Sequence, residues 1–370
     1  MDDRTGGWFA RRTSRWQDWQ QDWLVAAKQR LGVTISVVIP AKNEQRTVAG
    51  VVSSVARTLV TRVPLVDELV VMDSDSTDGT AHAAAEAGAT VYRASEVVPA
   101  SGSFPGKGEA LWKSLLVTTG DLVVFIDADL TRWGPHFVSG LIGPLLADQQ
   151  VQLVKGFYTR VRTESDGSTS TEGGRVTELV ARPLISLWWP ELADVVQPLA
   201  GEWAARRTLM ESLSIPVGYG VELATLLDTV SGHGLDAVAQ VDLGSRAHRH
   251  QANHDLALMA AELLVVAHRR RDGSGTLPEF PVLRQFVRAA DGRAEQVVRP
   301  VPAAERPPAA SLRDYAGEPR VVAGDCRACR RSGSGRGQLR HAARPGDAAS
   351  RAQHVPALTA LDHGHRQPHA

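Results

Sequence analysis

The sequence predicts an α/β protein: a mostly parallel sheet with helices on both faces. Three observations carry this. Short β-branched runs are apolar almost throughout rather than alternating; stretches with a period near 3.6 separate them; and polar residues cluster just past the ends of the runs. Strands that are apolar on both sides are buried on both sides, and parallel strands need helical crossovers. In such sheets ligands bind beyond the carboxyl ends of the strands.

The elements follow in order. Residues 8–31 hold four of the nine tryptophans, and Trp16, Trp19, Trp23 and Ala27 recur at helical spacing. Residues 1–33 therefore read as an N-terminal Trp-rich amphipathic helix, with Thr13 or Ser14 as cap and Asp18 near the first turn. Its tryptophan stripe is expected to pack on the main domain or on a second subunit. Residues 35–39 are a β-branched run ending at Pro40. Val48, Val51, Val52, Val55 and Leu59 mark a helix. Residues 68–72 form a strand ending at Asp73, 80–87 a helix, 90–93 a strand, 109–117 a helix and 122–126 a strand. The alternation continues to about residue 271, so 34–271 is the predicted main domain. Past Asp272 the pattern fades, leaving 272–323 as a C-terminal extension. Residues 324–370 hold eight Arg, five His and three acids with almost no apolar periodicity. Such a segment cannot bury enough surface to fold alone, so a disordered tail is expected.

Composition excludes several function classes. Lys plus Arg and Asp plus Glu both number 41, for zero formal charge, which removes the electrostatic footprint of a general nucleic-acid binder. The start Met1-Asp2-Asp3 is acidic and no apolar signal core follows it. No apolar run approaches the length of a membrane span. Cys326 and Cys329 make no disulfide framework, and one Cys-x-x-Cys without a second pair is rejected as a zinc site. A cytoplasmic protein acting on a small molecule is the expectation.

The chemistry gathers at strand ends. Three of them read Pro40-Ala41-Lys42-Asn43-Glu44, Asp73-Ser74-Asp75 and Asp127-Ala128-Asp129. Two acids one residue apart at a strand terminus can hold a hard divalent cation. Mg²⁺ takes few carboxylates together with substrate phosphates, which suits a diphosphate. The plainer alternative is a solvated pair capping the next helix. Gly106-Lys107-Gly108 opens a helix, where backbone N–H groups and a lysine attract anions, though such a turn also occurs with no ligand. Gly173-Gly174-Arg175-Val176-Thr177 offers glycines, an arginine and a hydroxyl at a helix start, either an anion cradle or a hinge. If Arg246-Ala247-His248-Arg249-His250 stays extended, Arg246, His248 and His250 share a face. An imidazole there could complete a metal site and the arginine could meet phosphate, or the histidines are simply exposed. Tyr219-Gly220-Val221-Glu222 sets an acid at a helix start, for sugar hydroxyls or for the helix dipole. No G-x-G-x-x-G follows the first strand, which disfavours a Rossmann dehydrogenase.

In this order the motifs resemble the GT-A glycosyltransferases, whose fold is a Rossmann-like, mostly parallel sheet with helices on both faces. More closely they resemble the retaining glucosyl-3-phosphoglycerate synthases, a family that includes mannosyl-3-phosphoglycerate synthases. The carriers are Ile39–Glu44, Asp73–Asp78, Pro105–Trp112, Val124–Asp129, Gly173–Leu184, Gly218–Glu222 and Arg246–Arg249. The block around Arg175 is the most specific, since general GT-A enzymes lack it.

The resemblance implies a Mg²⁺- or Mn²⁺-dependent transfer of a hexose, from UDP-glucose, to 3-phosphoglycerate with retention of configuration. It implies donor contacts from Pro40, Ala41, Lys42, Asn43, Glu44, Ser74, Lys107, Asp127, Ala128, Tyr219, Gly220, Val221, Glu222, Arg246 and Arg249. Asp129 and His248 are implied metal ligands. Gly174, Arg175, Val176, Thr177 and His250 are implied at the acceptor, and Asp129, Glu222 and Lys107 in the chemistry. Two residues depart from the family pattern: Ala128, where relatives often have Ser, and His250, where they carry Asn. A homodimer is also implied. The alternatives are GDP-mannose as donor, a GT-A enzyme with a lipid-phosphate acceptor, a nucleotidyltransferase, or a nucleotide-sugar sensor without turnover.

Overall fold

The apolar runs assemble into one eight-stranded sheet. The computed structural model describes residues 4–160, 162–163, 169–170, 174–246, 253–272, 281–288 and 293–312, all within the compact unit Met1–Val322. The strands are β1 (Thr13–Arg15), β2 (Ile35–Ala41), β3 (Glu68–Asp73), β4 (Thr90–Arg93), β5 (Leu122–Phe125), β6 (Leu153–Arg160), β7 (Trp203–Arg206) and β8 (Val238–Arg246). Their order is β1-β8-β6-β7-β5-β2-β3-β4. Only β7 runs against its neighbours, β5 and β6; the other pairings in this sheet are parallel.

The helices are α1 (Arg4–Arg12), α2 (Gln21–Leu31), α3 (Val48–Val55), α4 (Thr80–Glu86), α5 (Lys107–Leu115), α6 (His136–Ala147), α7 (Arg182–Trp188), α8 (Arg207–Ser212), α9 (Val221–His233) and α10 (Asn253–Asp272). Alternate side chains of each strand enter different cores, as the period of two requires. Val37, Ile39 and Val124 join the core with α3 and α6, while Val38, Val123 and Phe125 join that with α5 and α9. Both faces are covered, as the apolar strands predict.

The structure corrects two expectations. The N-terminal region is not one helix. Thr13–Arg15 leaves α1 to pair with β8, Thr13 opposite Gln240, whose Nε2 donates to Thr13 Oγ1 at 3.0 Å. A 3₁₀ turn, Trp16–Asp18, then leads to α2, which begins after Gln20, so neither Thr13 nor Ser14 caps it. A sheet edge outcompetes the local helical pattern here, because ladder bonds from β8 satisfy the backbone. Trp16 and Trp19 do pack on the main domain, against α6 at Gly140 and Gly143. A Cβ on Gly143 would sit 2.1 Å from the Trp19 ring. Trp8 instead enters the other core, and Trp23 stays 40% exposed.

The extension is also patterned. Val282–Arg288 (β9) and Ala294–Pro300 (β10) form an antiparallel hairpin, and Glu305–Arg306 pairs with Ile215–Pro216. One face of Val282–Arg288 is exposed and the other only partly buried, and the exposed face carries Val282 and Phe286 beside Arg284 and Arg288, so polarity does not follow the strand period. The expected tail, with Cys326 and Cys329, lies outside the described residues.

Candidate active site

The carboxyl ends of β2, β3 and β5 deliver the predicted polar segments to one rim. After β2, Lys42 Nζ donates to the carbonyls of Ser74 (2.6 Å) and Asp75 (2.7 Å), tying the first two strand ends together. Asn43 adopts a left-handed backbone (φ 55°), and its amide N–H donates to Ser76 Oγ at 2.9 Å. The Glu44 N–H donates to Thr80 Oγ1 at 2.8 Å and its carboxylate accepts from Thr47 Oγ1 at 2.9 Å. Pro40 and Ala41 close β2, with Ala41 buried.

Past β5, Asp127 and Asp129 enter a buried ion network. Lys107, the first residue of α5, sets Nζ 2.6 Å from Asp127 Oδ1 and 2.8 Å from Glu222 Oε1. Arg246, at the end of β8, reaches Asp127 Oδ2 (3.1 Å), Asp129 Oδ1 (3.4 Å) and Glu202 Oε2 (2.9 Å), and donates to the Tyr158 hydroxyl. Asp127 packs so tightly on Gly201 that a Cβ there would meet Oδ2 at 2.2 Å. The sequence reading thus placed Lys107, Asp127, Asp129, Glu222 and Arg246 in one site, and the structure brings these five together.

Their protonation follows from the same contacts. Burial is the largest influence on Asp127 and disfavours its charge, but Lys107 and Arg246 outweigh it and hold the carboxyl far below the usual range. Burial likewise opposes the Lys107 ammonium, and Asp127 and Glu222 more than compensate, raising it well above an ordinary lysine. Asp129 goes the other way: burial first, then the charges of Asp127 and Glu44, push it up against the pull of Arg246. Asp127 is therefore committed to protein cations, whereas Asp129 lacks sufficient positive charge. A single under-compensated carboxylate, still 28% exposed at the strand-end rim, is the donor chemistry that Mg²⁺ or Mn²⁺ accepts when phosphates complete its shell. Among the described residues no three His, Cys, Asp or Glu side chains cluster closely enough to hold a metal unaided. His248, Arg249 and His250 lie outside the described residues.

The Gly-Lys-Gly turn acts differently from a simple anion cradle. The N–H groups of Gly108 and Glu109 donate to the carbonyls of Gly218 (3.1 Å) and Val217 (2.9 Å). A Cβ on Gly108 would stand 1.7 Å from the Pro216 oxygen, so glycine is needed for this approach. The helix start is thereby locked to the segment that leads into Tyr219, Gly220, Val221 and Glu222, and the charge offered to a ligand comes from Lys107. Glu222 sits in the first turn of α9, with Gly220 as its cap.

In the predicted acceptor segment, Gly174 has φ 76°, Arg175 is exposed, and Val176 and Thr177 are buried. The Glu178 N–H returns to the Gly174 carbonyl at 2.9 Å, so a helical turn begins here as expected. Gly173 lies outside the described residues.

Three ionisable residues in or beside the network escaped the sequence reading. Glu202 is fully buried, and burial, the first cause, raises its carboxyl. Lys155 is fully buried above the Trp203 ring (5.5 Å), donating to the Ala200 carbonyl at 2.9 Å; burial brings it down to about 8. Glu262 on α10 accepts the Tyr219 N–H at 2.5 Å, and burial and then Glu222 push it up to about 7. The signal for two of them was a lone charge inside an apolar run: Lys155 in Leu153-Val154-Lys155, and Glu262 in Ala260-Ala261-Glu262-Leu263-Leu264.

A mostly parallel α/β sheet with paired acids at the end of a central strand, facing a helix-borne lysine, defines a GT-A glycosyltransferase domain. The family model for glycosyl transferase family 2 matches residues 36–184. The chain is 46% identical over 301 residues to a glucosyl-3-phosphoglycerate synthase of Mycobacterium tuberculosis, covering 80% of this chain and 90% of that one. It is 40% identical over 295 residues to a glucosyl-3-phosphoglycerate synthase of Petrotoga mobilis, covering 79% and 91%. The crystal structure of the Mycobacterium tuberculosis enzyme with Mn²⁺ and UDP-glucose superposes with a TM-score of 0.69 at 45% identity, covering 79% of this chain and 94% of that chain. The chain belongs to the glucosyl-3-phosphoglycerate synthase family. No helix among the described residues is long and apolar enough to cross a membrane.

Proposed function

We propose that this chain transfers glucose from UDP-glucose to 3-phosphoglycerate with retention of configuration, giving glucosyl-3-phosphoglycerate and UDP. The observation that carries the reading is the Lys107 bridge between Asp127 and Glu222, which joins the diphosphate end and the sugar end of one donor site. The relatives' names support it, as do crystal structures of the Mycobacterium tuberculosis enzyme with Mn²⁺, UDP and phosphoglyceric acid and with Mn²⁺, UDP and glucosyl-3-phosphoglycerate.

In this reading Pro40, Ala41, Lys42, Asn43, Glu44, Ser74 and Ala128 bound the nucleotide, and Arg246 and Arg249 meet its phosphates. Asp129 and His248 hold Mg²⁺ or Mn²⁺, which supplies Lewis-acid charge for the departing diphosphate. Lys107 adds a fixed positive charge at the same place. Glu222 is engaged by Lys107, so it orients the sugar hydroxyls with Tyr219 rather than attacking the anomeric carbon. Gly174, Arg175, Val176, Thr177 and His250 receive the phosphate and carboxylate of the acceptor. The bond from the anomeric carbon to the β-phosphate oxygen breaks, a bond to the acceptor hydroxyl oxygen forms on the same face, and the hydroxyl proton passes to the leaving phosphate. The division 1–33, 34–271, 272–323 and 324–370, a cytoplasmic location and a homodimer complete the proposal. Leu179 and Leu187, 74% and 73% exposed, favour a partner subunit.

The test is a donor-by-acceptor assay with added Mg²⁺ or Mn²⁺ that resolves the product's anomeric configuration by NMR. Glucosyl-3-phosphoglycerate from UDP-glucose is the expected product. Faster turnover of GDP-mannose, or pyrophosphate released from a nucleoside triphosphate, overturns the assignment.

A further inference from the structure

Glu262 lies outside the ion network, on a helix that none of the motifs includes. Its carboxylate is nevertheless 4% exposed and accepts the backbone N–H of Tyr219 at 2.5 Å. Two glycines make that contact. A Cβ on Gly218 would meet Glu262 Oε2 at 1.9 Å, and a Cβ on Gly220 would meet Val266 Cγ2 at 2.4 Å. Glu262 and Val266 are one helical turn apart, so a single face of α10 seats both glycines that flank Tyr219. From the other side, the carbonyls of Val217 and Gly218 accept the first N–H groups of α5. The segment that presents Tyr219 and Glu222 is thus gripped between α5, which carries Lys107, and α10. Two side chains reach the backbone of that segment: the Glu262 carboxylate accepts the Tyr219 N–H, and the Thr225 hydroxyl, from within α9 itself, donates to the Val221 carbonyl at 2.8 Å.

We propose that Glu262 is a positioning residue for recognition of the donor's hexose: by holding the Tyr219 amide it fixes Tyr219 and Glu222 against the sugar. The inference rests on the assignment of Tyr219 and Glu222 to the donor sugar. Protonated or ionised, the Glu262 carboxyl offers the Tyr219 amide an acceptor oxygen, and the ionised form orders the amide more strongly than a neutral acceptor does; the close seating of Gly218 leaves the amide no room to turn away while the bond is made. The nucleotide and phosphate contacts proposed above come from other elements, so loss of the bond loosens the sugar and leaves the nucleotide in place.

The experiment uses the full chain with UDP-glucose, 3-phosphoglycerate and Mn²⁺, and measures UDP and UDP-glucose affinities by calorimetry. Glu262→Ala is expected to raise the KM for UDP-glucose about tenfold, the loss of one charge-assisted hydrogen bond. The KM for 3-phosphoglycerate and the affinity for UDP stay within about twofold. Glu262→Gln, which keeps an acceptor oxygen, should bring the donor KM back to within about threefold of the unsubstituted chain. Gly218→Ala, which retains Glu262 but forces its carboxylate aside, should reproduce the alanine pattern and keeps the test decisive if Glu262→Ala folds poorly. A parallel loss of UDP affinity, equal changes in both KM values, or a glutamine variant no better than alanine overturns the proposal. The unsubstituted chain reports separately on the underlying function: if it does not glucosylate 3-phosphoglycerate, that reading fails whatever Glu262 does.

Discussion

Replacing Lys107 by methionine removes the cation shared by two buried carboxylates. Nζ lies 2.6 Å from Asp127 and 2.8 Å from Glu222, and the three side chains are 14%, 22% and 6% exposed. At that spacing and an effective dielectric of about 20, each attraction is about 6 kcal/mol, much of it offset by the cost of desolvation. Asp127 keeps Arg246 at 3.1 Å, so the uncompensated charge falls mainly on Glu222. Breaking a buried pair from one side costs about 3–5 kcal/mol, and that is the expected loss in urea unfolding followed by tryptophan fluorescence. Adding Glu222→Gln to the Lys107→Met chain removes the stranded charge and should recover about 1–3 kcal/mol. Activity should behave otherwise. The lysine charge near the diphosphate is lost in both variants, so kcat/KM for the donor should fall about 10²- to 10³-fold in each. A loss of stability below about 1 kcal/mol on Lys107→Met, or a Glu222→Gln cost that simply adds to it, would refute the shared-cation account.

Other outcomes follow from the same geometry. Asp129→Ala should lower Mn²⁺ affinity in the presence of UDP by at least about tenfold by calorimetry, with an unchanged circular dichroism spectrum; unaltered Mn²⁺ binding would remove Asp129 from the metal. Arg306 makes a two-pronged pair with Glu109 (2.7 and 2.6 Å) between the rings of Phe104 and Trp112 (4.6 and 4.8 Å). Arg306→Met should therefore cost about 3–5 kcal/mol in thermal unfolding, and Arg306→Lys should restore less than half of it, since an ammonium lacks the fork. Glu262 holds its proton up to about 7 in the fold but releases it near 4.5 when unfolded, burial being the first cause and Glu222 the second. The folded state binds the extra proton, so this group's contribution to stability declines as pH rises from 4.5 to about 7 and then levels. Against the unsubstituted chain, the Tm of Glu262→Gln should climb between about pH 5 and about pH 8; a constant difference would contradict the buried-carboxyl account.

What could be read in the sequence follows from the range of the interactions involved. The strand ends were legible because an apolar run that stops at Asp73 or Asp127 announces both its burial and its exit from the sheet. The ion network was only half legible. Asp127, Asp129, Lys107, Glu222 and Arg246 each sit beside a local marker, a strand end or a helix start. Glu202 has neither: it precedes β7, the one strand of the eight-stranded sheet that runs against its neighbours, and its partner Arg246 lies 44 residues away. Arg306 is more remote still, 197 residues from Glu109, in a region whose mixed polarity hides its strands.

The N-terminal region shows why a correct period can still yield a wrong element. Trp16, Trp19 and Trp23 stand at helical spacing, and Trp16 and Trp19 do pack on the domain. Yet spacing constrains only which residues share a face, and a 3₁₀ turn followed by a helix satisfies it about as well as one helix does. The choice was made elsewhere: β8 offers an open parallel edge, and Gln240 a side-chain amide, to Thr13. That strand also ends at Arg246, whose guanidinium joins Asp127, Asp129 and Glu202. By covering the edge of β8, the N-terminal strand buttresses the element that brings Arg246 to the two acids, a link between chain start and site that no local pattern encodes.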